Sequence, residues 1–269
     1  MTAIPDPRKQ EDLTIHDVKT GKGEGGRQDS RMAAMLARGD EKCLLQNGTI
    51  RGASADQIWQ YEDAFHWFSE PRRFGKFCAH YELYKRIVDL PGDVIELGVF
   101  RGASLIRWVT FRDMLETTYS RQIYGFDIFG DFPKEGIRSS VDHEEIDAFE
   151  KLCGKALSVE ELEMLFKRKG LDKHLHLVKG DVRETLPALF DKQPGMRLSL
   201  VHLDVDVFEP TLTVLETCWH HMVPGGLMLF DDYSFWEGAT RALETFFNGQ
   251  KISIQKLPIT HTPAFIVKD

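Results

Sequence analysis

The stretch Asp93–Ser104, DVIELGVFRGAS, constrains this chain more than any other. It opens with a short, near-continuous apolar run, as a parallel strand buried on both faces requires. Gly98 and Gly102 then bracket a tight turn, and from Ser104 the pattern becomes helical. Strand, glycine turn and helix together let a ligand approach backbone N–H groups at a helix N-terminus. The spacing is Glu96-x-Gly98-x-x-x-Gly102, which differs from the G-x-G-x-x-G of a dinucleotide site. A glutamate ahead of the first glycine suits a cationic or hydroxylated ligand better than a pyrophosphate.

The same unit recurs along the chain. QIYGFDIF is a second strand that ends at Asp127, where an acid can accept hydrogen bonds from ribose hydroxyls. HLHLVKGDV is a third, ending at Asp181, and Arg197–Asp206 is a fourth. A turn at Pro224-Gly225-Gly226 leads into a fifth, LMLFDDYS, ending at Asp231 and Asp232. Helices are expected from Pro210 to His221 and from Glu237 to Phe247, and KISIQKL and AFIVKD should close the sheet as an antiparallel hairpin. This alternation predicts an α/β fold: a doubly wound, mostly parallel seven-stranded sheet with a helical N-terminal extension.

Three regions follow from composition and pattern. Residues 1–27 are polar, include GKGEGG and read as a flexible leader. Residues 28–90 read as the helical extension, with a short helix in RMAAMLARG and longer ones at Ser54–Phe68 and Phe74–Leu90. Its many aromatics either pack helices onto the main domain or, with Glu62 or His80, wall a pocket. Residues 91–269 form the ligand-binding domain, interrupted at 130–170 by a segment whose Ile146, Phe149, Leu162 and Phe166 recur at helical spacing. That insertion is either a lid or a subunit contact.

A net charge of −8 over 269 residues argues against a nucleic-acid surface. The four cysteines are scattered, without metal-ligand spacing or disulfide density. No apolar stretch approaches the roughly 20 residues of a membrane span, and the N-terminus lacks a signal peptide's apolar core. A cytoplasmic homo-oligomer without nucleic-acid or membrane partners is the expectation.

The sharpest feature is where the acids fall. Each strand of the parallel core runs into a carboxylate, and ligands in such sheets bind outside the carboxyl ends of the strands. If the fourth and fifth strands are neighbours, Asp204, Asp206, Asp231 and Asp232 converge. Two unit charges 4 Å apart repel by about 4 kcal/mol at an effective dielectric near 20, so the cluster needs a proton or a cation. Oxygen ligands favour Mg²⁺ or another hard divalent ion. The alternative is that Asp232 caps the following turn and Asp206 faces water.

With these residues placed, the sequence resembles class I S-adenosylmethionine-dependent methyltransferases and, more narrowly, the macrocin O-methyltransferase family, which modifies sugar hydroxyls in natural-product biosynthesis. The stretches that carry the resemblance are PGDVIELGVFRGAS, YGFDIFGDFP, VHLDVDVFEPT and PGGLMLFDDY. It implies S-adenosylmethionine bound around Glu96, Gly98, Gly102 and Ser104, with Asp127 on the ribose and Asp181 near the adenine. It also implies a divalent metal on Asp204, Asp231 and Asp232, a sugar-containing small molecule as acceptor, and Asp204, Asp206 or else His202 as general base. The family more often has tyrosine where Phe208 stands and tryptophan where Phe100 stands.

Two other enzymes fit parts of the pattern. Asp204-Val205-Asp206 is the D-x-D triplet of a metal-dependent glycosyltransferase, and a catechol methyltransferase would use the same metal chemistry. Tyr233, Phe235 and Trp236 would stack on a ring or sugar face there, or else pack in the core. A binding module that had lost its chemistry is disfavoured, because it would be expected to shed carboxylates that destabilise the fold.

Overall fold

The computed structural model describes residues 49–50, 52–54, 57–132 and 134–269. The expected leader at 1–27 and the expected helix in RMAAMLARG lie outside the described residues. A short antiparallel pair, β1 (Thr49–Ile50) and β2 (Ala53–Ser54), precedes helices α1 (Ile58–Phe68) and α2 (Pro71–Lys85).

The sheet begins at β3 (Asp93–Leu97) and continues through β4 (Ile123–Asp127), β5 (Leu175–Lys179), β6 (Leu198–Leu203), β7 (Met222–Phe230), β8 (Gln255–Lys256) and β9 (Ala264–Val267). Its seven strands run in the order β5-β4-β3-β6-β7-β9-β8. β3 to β7 pair in parallel, and β9 pairs antiparallel with β7 and with the edge strand β8. The connecting helices are α3 (Ala103–Leu115), α4 (Ser140–Cys153), α5 (Val159–Lys169), α6 (Val182–Lys192), α7 (Phe208–Cys218) and α8 (Glu237–Phe246). No helix among the described residues is long and apolar enough to cross a membrane.

Apolar strand residues fill both faces of the sheet. On one face Ile95, Leu97, Val201 and Met228 pack with Val214, Leu215 and Leu243 of α7 and α8. On the other, Val94, Leu200 and Leu229 pack with Trp108 and Val109 of α3 and with Leu83 and Tyr84 of α2. The extension's second helix is therefore part of this core. Pro at the first position of α2 sets its start, since proline costs no hydrogen bond there.

Two local expectations are corrected. Pro224-Gly225-Gly226 does not separate a turn from a strand, because β7 runs unbroken from Met222 with a register irregularity against β6 between Leu198 and Leu200. Gly225 at φ +81° supplies the left-handed conformation this irregularity uses. The aromatics of α1 do not pack on the sheet, and no residue of that helix is buried. Trp59, Tyr61, Phe65, Trp67 and Phe68 fall around the helix rather than on one stripe, so no single face can bury them together.

The 130–170 insertion is the helix pair α4 and α5. α5 begins with a reciprocal capping box, Ser158 to Glu161, and ends on Gly170 in the left-handed conformation. α4 is docked by a buried acid. Asp142 Oδ2 accepts from the Phe208 N–H at the start of α7, at 3.1 Å. A Cβ on Gly238, in the first turn of α8, would stand 2.5 Å from the same carboxylate oxygen. A carboxylate between two helix N-termini is favourably placed.

Candidate active site

The order of strands reverses between β3 and β6, so the crevice at their carboxyl ends is where such a sheet receives a ligand. The chain there is held at close quarters. Gly98 has φ +90°, and a Cβ on it would lie 1.7 Å from the Asp204 carbonyl oxygen. Only glycine fits, because the turns leaving β3 and β6 touch through their backbones. Gly102, at φ +78°, caps the N-terminus of α3.

Asp127 braces the glycine turn from β4. Its Oδ2 accepts from the Val99 and Phe100 N–H groups, both at 2.8 Å, and its Oδ1 accepts from Phe129 at 2.6 Å. A carboxylate has roughly four acceptor positions, so it retains capacity for a further donor. Asp181 is the N-cap of α6 and is paired with Arg183, whose hydrogen bonds hold it below the usual carboxylate range.

Glu96 does not line the crevice. It is fully buried, with Oε1 accepting from Ser104 Oγ at 2.7 Å and Oε2 facing His202 Nδ1 at 3.7 Å. The other ring nitrogen of His202 lies 3.5 Å from Asp231 Oδ1. The ring is thus enclosed between two carboxylates. Burial opposes its charge, but Asp231 and Glu96 outweigh that and push it up to about 10. An imidazolium with both nitrogens facing carboxylates has no free lone pair for a substrate proton, which corrects the expectation that His202 is a candidate base. Glu96 and Ser104 hold each other, Glu96 fully buried and Ser104 8 % exposed. His80 of α2, fully buried, stacks on Trp108 at 4.4 Å and meets the His202 ring edge-on. It does not wall a surface pocket, and Glu62 of α1 is exposed.

The aspartates converge as the strand ends require. β6 and β7 are parallel neighbours with Leu203 opposite Phe230, which sets Asp204 beside Asp231. They then divide into two groups. Asp204, Asp206 and Asp232 bring carboxylate oxygens within 4.8 Å of one another. Asp232 Oδ2 accepts from the Asp206 N–H at 3.0 Å, and Asp206 itself adopts φ +65°. Asp231 belongs instead with His80 and His202, and its Oδ2 also binds Lys76 Nζ of α2. Of the residues expected to hold a metal, Asp204 and Asp232 fall in the first group and Asp231 in the second.

Charge follows this division. Burial, reinforced by Asp231 and Asp232, raises Asp204 well above its ordinary value. Burial and Asp204 push Asp206 up to about 8, and burial with Asp206 and Asp231 raises Asp232. Asp231 goes the other way: against the cost of burial, His202 and Lys76 hold it well below the carboxylate range. Three crowded acids that resist ionisation together, Asp232 buried and Asp204 and Asp206 half-buried, form an all-oxygen donor set suited to a hard divalent cation.

The insertion reaches this site through aromatic rings. Phe149 of α4 contacts Phe100 of the glycine turn at 5.4 Å and Trp236 after β7 at 6.4 Å. Trp236 is buried, whereas Phe235 is 77 % exposed.

Comparison with known proteins agrees with this architecture. A family model described as macrocin O-methyltransferase (TylF) matches residues 79–267. A curated 8-demethyl-8-(2,3-dimethoxy-alpha-L-rhamnosyl)-tetracenomycin-C 4'-O-methyltransferase from Streptomyces olivaceus is 31% identical over 147 residues, 54% of each chain. A mycinamicin III 3''-O-methyltransferase from Micromonospora griseorubida is 29% identical over 153 residues, covering 54% of this chain and 56% of its own. The match thus spans about half the length of these relatives. Among solved structures, the calicheamicin methyltransferase CalS11 superposes with a TM-score of 0.62 at 21% identity, covering 96% of this chain and 98% of its own. The O-methyltransferase NovP gives 0.59 at 20% identity, over 72% and 79%. At such identities the likeness is one of fold.

Proposed function

The chain belongs to the macrocin O-methyltransferase family, and from that premise we propose that it transfers a methyl group from S-adenosylmethionine to a sugar hydroxyl of a glycosylated natural product or nucleotide sugar, with a divalent cation. The observation that carries this reading is the convergence of Asp204, Asp206 and Asp232 beside the Gly98 turn, at the strand-order reversal. The curated relatives named above are sugar O-methyltransferases by name, which supports the acceptor class.

Bound S-adenosylmethionine would supply a sulfonium-activated methyl, and a bound divalent cation would lower the pKa of a contacting hydroxyl. The chain's own residues do the remainder. The Gly98–Gly102 turn, braced by Asp127, forms the nucleoside side of the crevice, with Asp181 beyond it at the head of α6. Asp204, Asp206 and Asp232 would hold the cation. Asp206 accepts the proton of the attacking hydroxyl at a carboxylate oxygen, as a positioned general base beside the reacting group. His202 keeps Asp231 charged and oriented, and Glu96 keeps His202 in place. Phe149 and Trp236 close the crevice against water, and the insertion acts as a lid.

The test is methyl transfer from labelled S-adenosylmethionine to a panel of nucleotide sugars and glycosylated acceptors, with Mg²⁺ or with chelator. Label on a sugar oxygen that disappears with chelator supports the reading. Asp232→Asn should lower turnover at least 100-fold, as the loss of a preorganised electrostatic group does. Label on catechols alone, or donor-independent consumption of a nucleotide sugar, would replace it.

A further inference from the structure

A lysine of the helical extension stands at the carboxylate site. Gly75 packs so tightly that a Cβ on it would lie 2.8 Å from the Ile259 carbonyl oxygen, in the loop beside the carboxyl end of β7. That approach presses this turn of α2 onto the site and delivers the next residue, Lys76, to Asp231. The Lys76 ammonium binds Asp231 Oδ2, while Asp231 Oδ1 faces His202. Both oxygens of Asp231 are thereby engaged by cationic partners. This accounts for a discrepancy in the site: the strand register sets Asp231 level with Asp204, yet its oxygens group with the imidazoles and not with Asp204, Asp206 and Asp232.

The two partners of Asp231 are not equivalent. His202 is enclosed in the core with a side-chain exposure of 0 %, so it cannot leave. Lys76 retains 31 % exposure, and its charge is a compact ammonium on a flexible stem. It can release Asp231 and reach water without opening the core. Among the groups near Asp231, Lys76 is thus built to exchange and His202 is built to stay.

We propose that Lys76 is a resident counter-cation of this site. It neutralises Asp231 while no divalent ion is bound and, on binding, frees Asp231 Oδ2 to join Asp204, Asp206 and Asp232 around the ion while Oδ1 stays with His202, so that Lys76 sets the ion's affinity and couples ion binding to α2. The inference rests on the divalent-cation reading above. A competitor in place weakens the ligand it competes with, and coupled pairs of this kind differ roughly 5- to 150-fold.

The experiment is calorimetric titration of MgCl₂ into the full-length protein and into Lys76→Met, which removes the charge and keeps the stem, with Lys76→Arg as the charge-conserving variant. Lys76→Met should bind Mg²⁺ about ten-fold tighter than wild type, and Lys76→Arg should resemble wild type. In chelator Lys76→Met should melt lower than wild type, and Mg²⁺ should raise its Tm by more. Equal or weaker Mg²⁺ binding by Lys76→Met, with a wild type that does bind, overturns the proposal and leaves Lys76 a structural partner of Asp231. Absence of Mg²⁺ binding in every form instead removes the divalent-cation reading, and the exchange falls with it. If Lys76→Met does not fold, Lys76→Gln carries the same comparison.

Discussion

Replacing Gly98 with alanine probes the contact on which the crevice depends. The new methyl would start 1.7 Å from the Asp204 carbonyl oxygen, so that oxygen must retreat by about 1.3 Å before the contact reaches even 3.0 Å. The opposing group is backbone, and the Asp204 N–H is tied to the Leu97 carbonyl at 2.9 Å, so no side chain can swing aside to relieve the strain. An L-residue at φ +90° adds roughly 1–3 kcal/mol of backbone strain, and overpacking costs typically 1–3 kcal/mol more. The expected destabilisation is about 2–6 kcal/mol, a large share of the 5–15 kcal/mol that typically holds a domain together. Urea unfolding should show a lower midpoint at unchanged slope. Because Asp204 is displaced together with its carbonyl, binding of S-adenosylhomocysteine and of Mg²⁺ should both weaken in whatever fraction remains folded. A Gly98→Ala protein within about 0.5 kcal/mol of wild type, the scatter of a neutral surface change, with undiminished ligand affinity, would refute the backbone contact as described.

Further expectations concern pH, the lid and the far end of the sheet. Without a divalent ion, Asp206 with a folded value of about 8 and His202 of about 10 both bind protons more tightly folded than unfolded, so their stabilisation is complete at low pH and is lost as pH rises, through about 4–8 for Asp206 and about 6.5–10 for His202. Thermal melts in chelator should therefore decline from pH 6 to pH 9, and saturating Mg²⁺ should flatten the part due to the aspartates. Gly238→Ala places a methyl 2.5 Å from Asp142 Oδ2 and should loosen α4, at a cost of about 1–3 kcal/mol, seen as faster proteolysis within 140–153. Arg121 donates to Glu116 and to the carbonyls of Ile87, Leu90 and Gly92 at the amino end of the sheet. Arg121→Met strands a buried carboxylate and should cost about 3–5 kcal/mol in urea unfolding, with little change in ligand affinity for the folded protein.

Much of this architecture was legible in the sequence because the physics behind it is local. Apolar runs such as Val94–Leu97 and Leu198–Leu203 must be buried on both faces, and the acids that follow them mark where the strands leave the sheet. The convergence of Asp204 with Asp231 needed only that β6 and β7 be neighbours, and they are. What escaped depends on contacts made across long sequence separations. Lys76 lies 155 residues from Asp231, and nothing in PRRFGKFCAH marks it except the glycine beside it. The ring of His202 lies in a strand among apolar residues, so its enclosure by Glu96 and Asp231 appears only once three strands are laid side by side. The left-handed conformations at Phe100 and Phe129 belong to a residue type that rarely adopts them, and with Asp206 they cluster at the carboxyl ends of the strands, where strain accompanies function. Pro224-Gly225-Gly226 has the composition of a turn, but backbone hydrogen bonds of Gly225 and Gly226 with Lys268 keep it within β7.

The central claim is that the crevice at the reversal between β3 and β6 receives the methyl donor beside a cation-holding carboxylate group. Calorimetric titration with S-adenosylhomocysteine, with and without Mg²⁺, tests it most directly. Saturable binding at one site in the micromolar range, weakened by Gly98→Ala and Asp127→Ala, is the expected result. No heat of binding in either condition, from a protein that melts cooperatively, would contradict it.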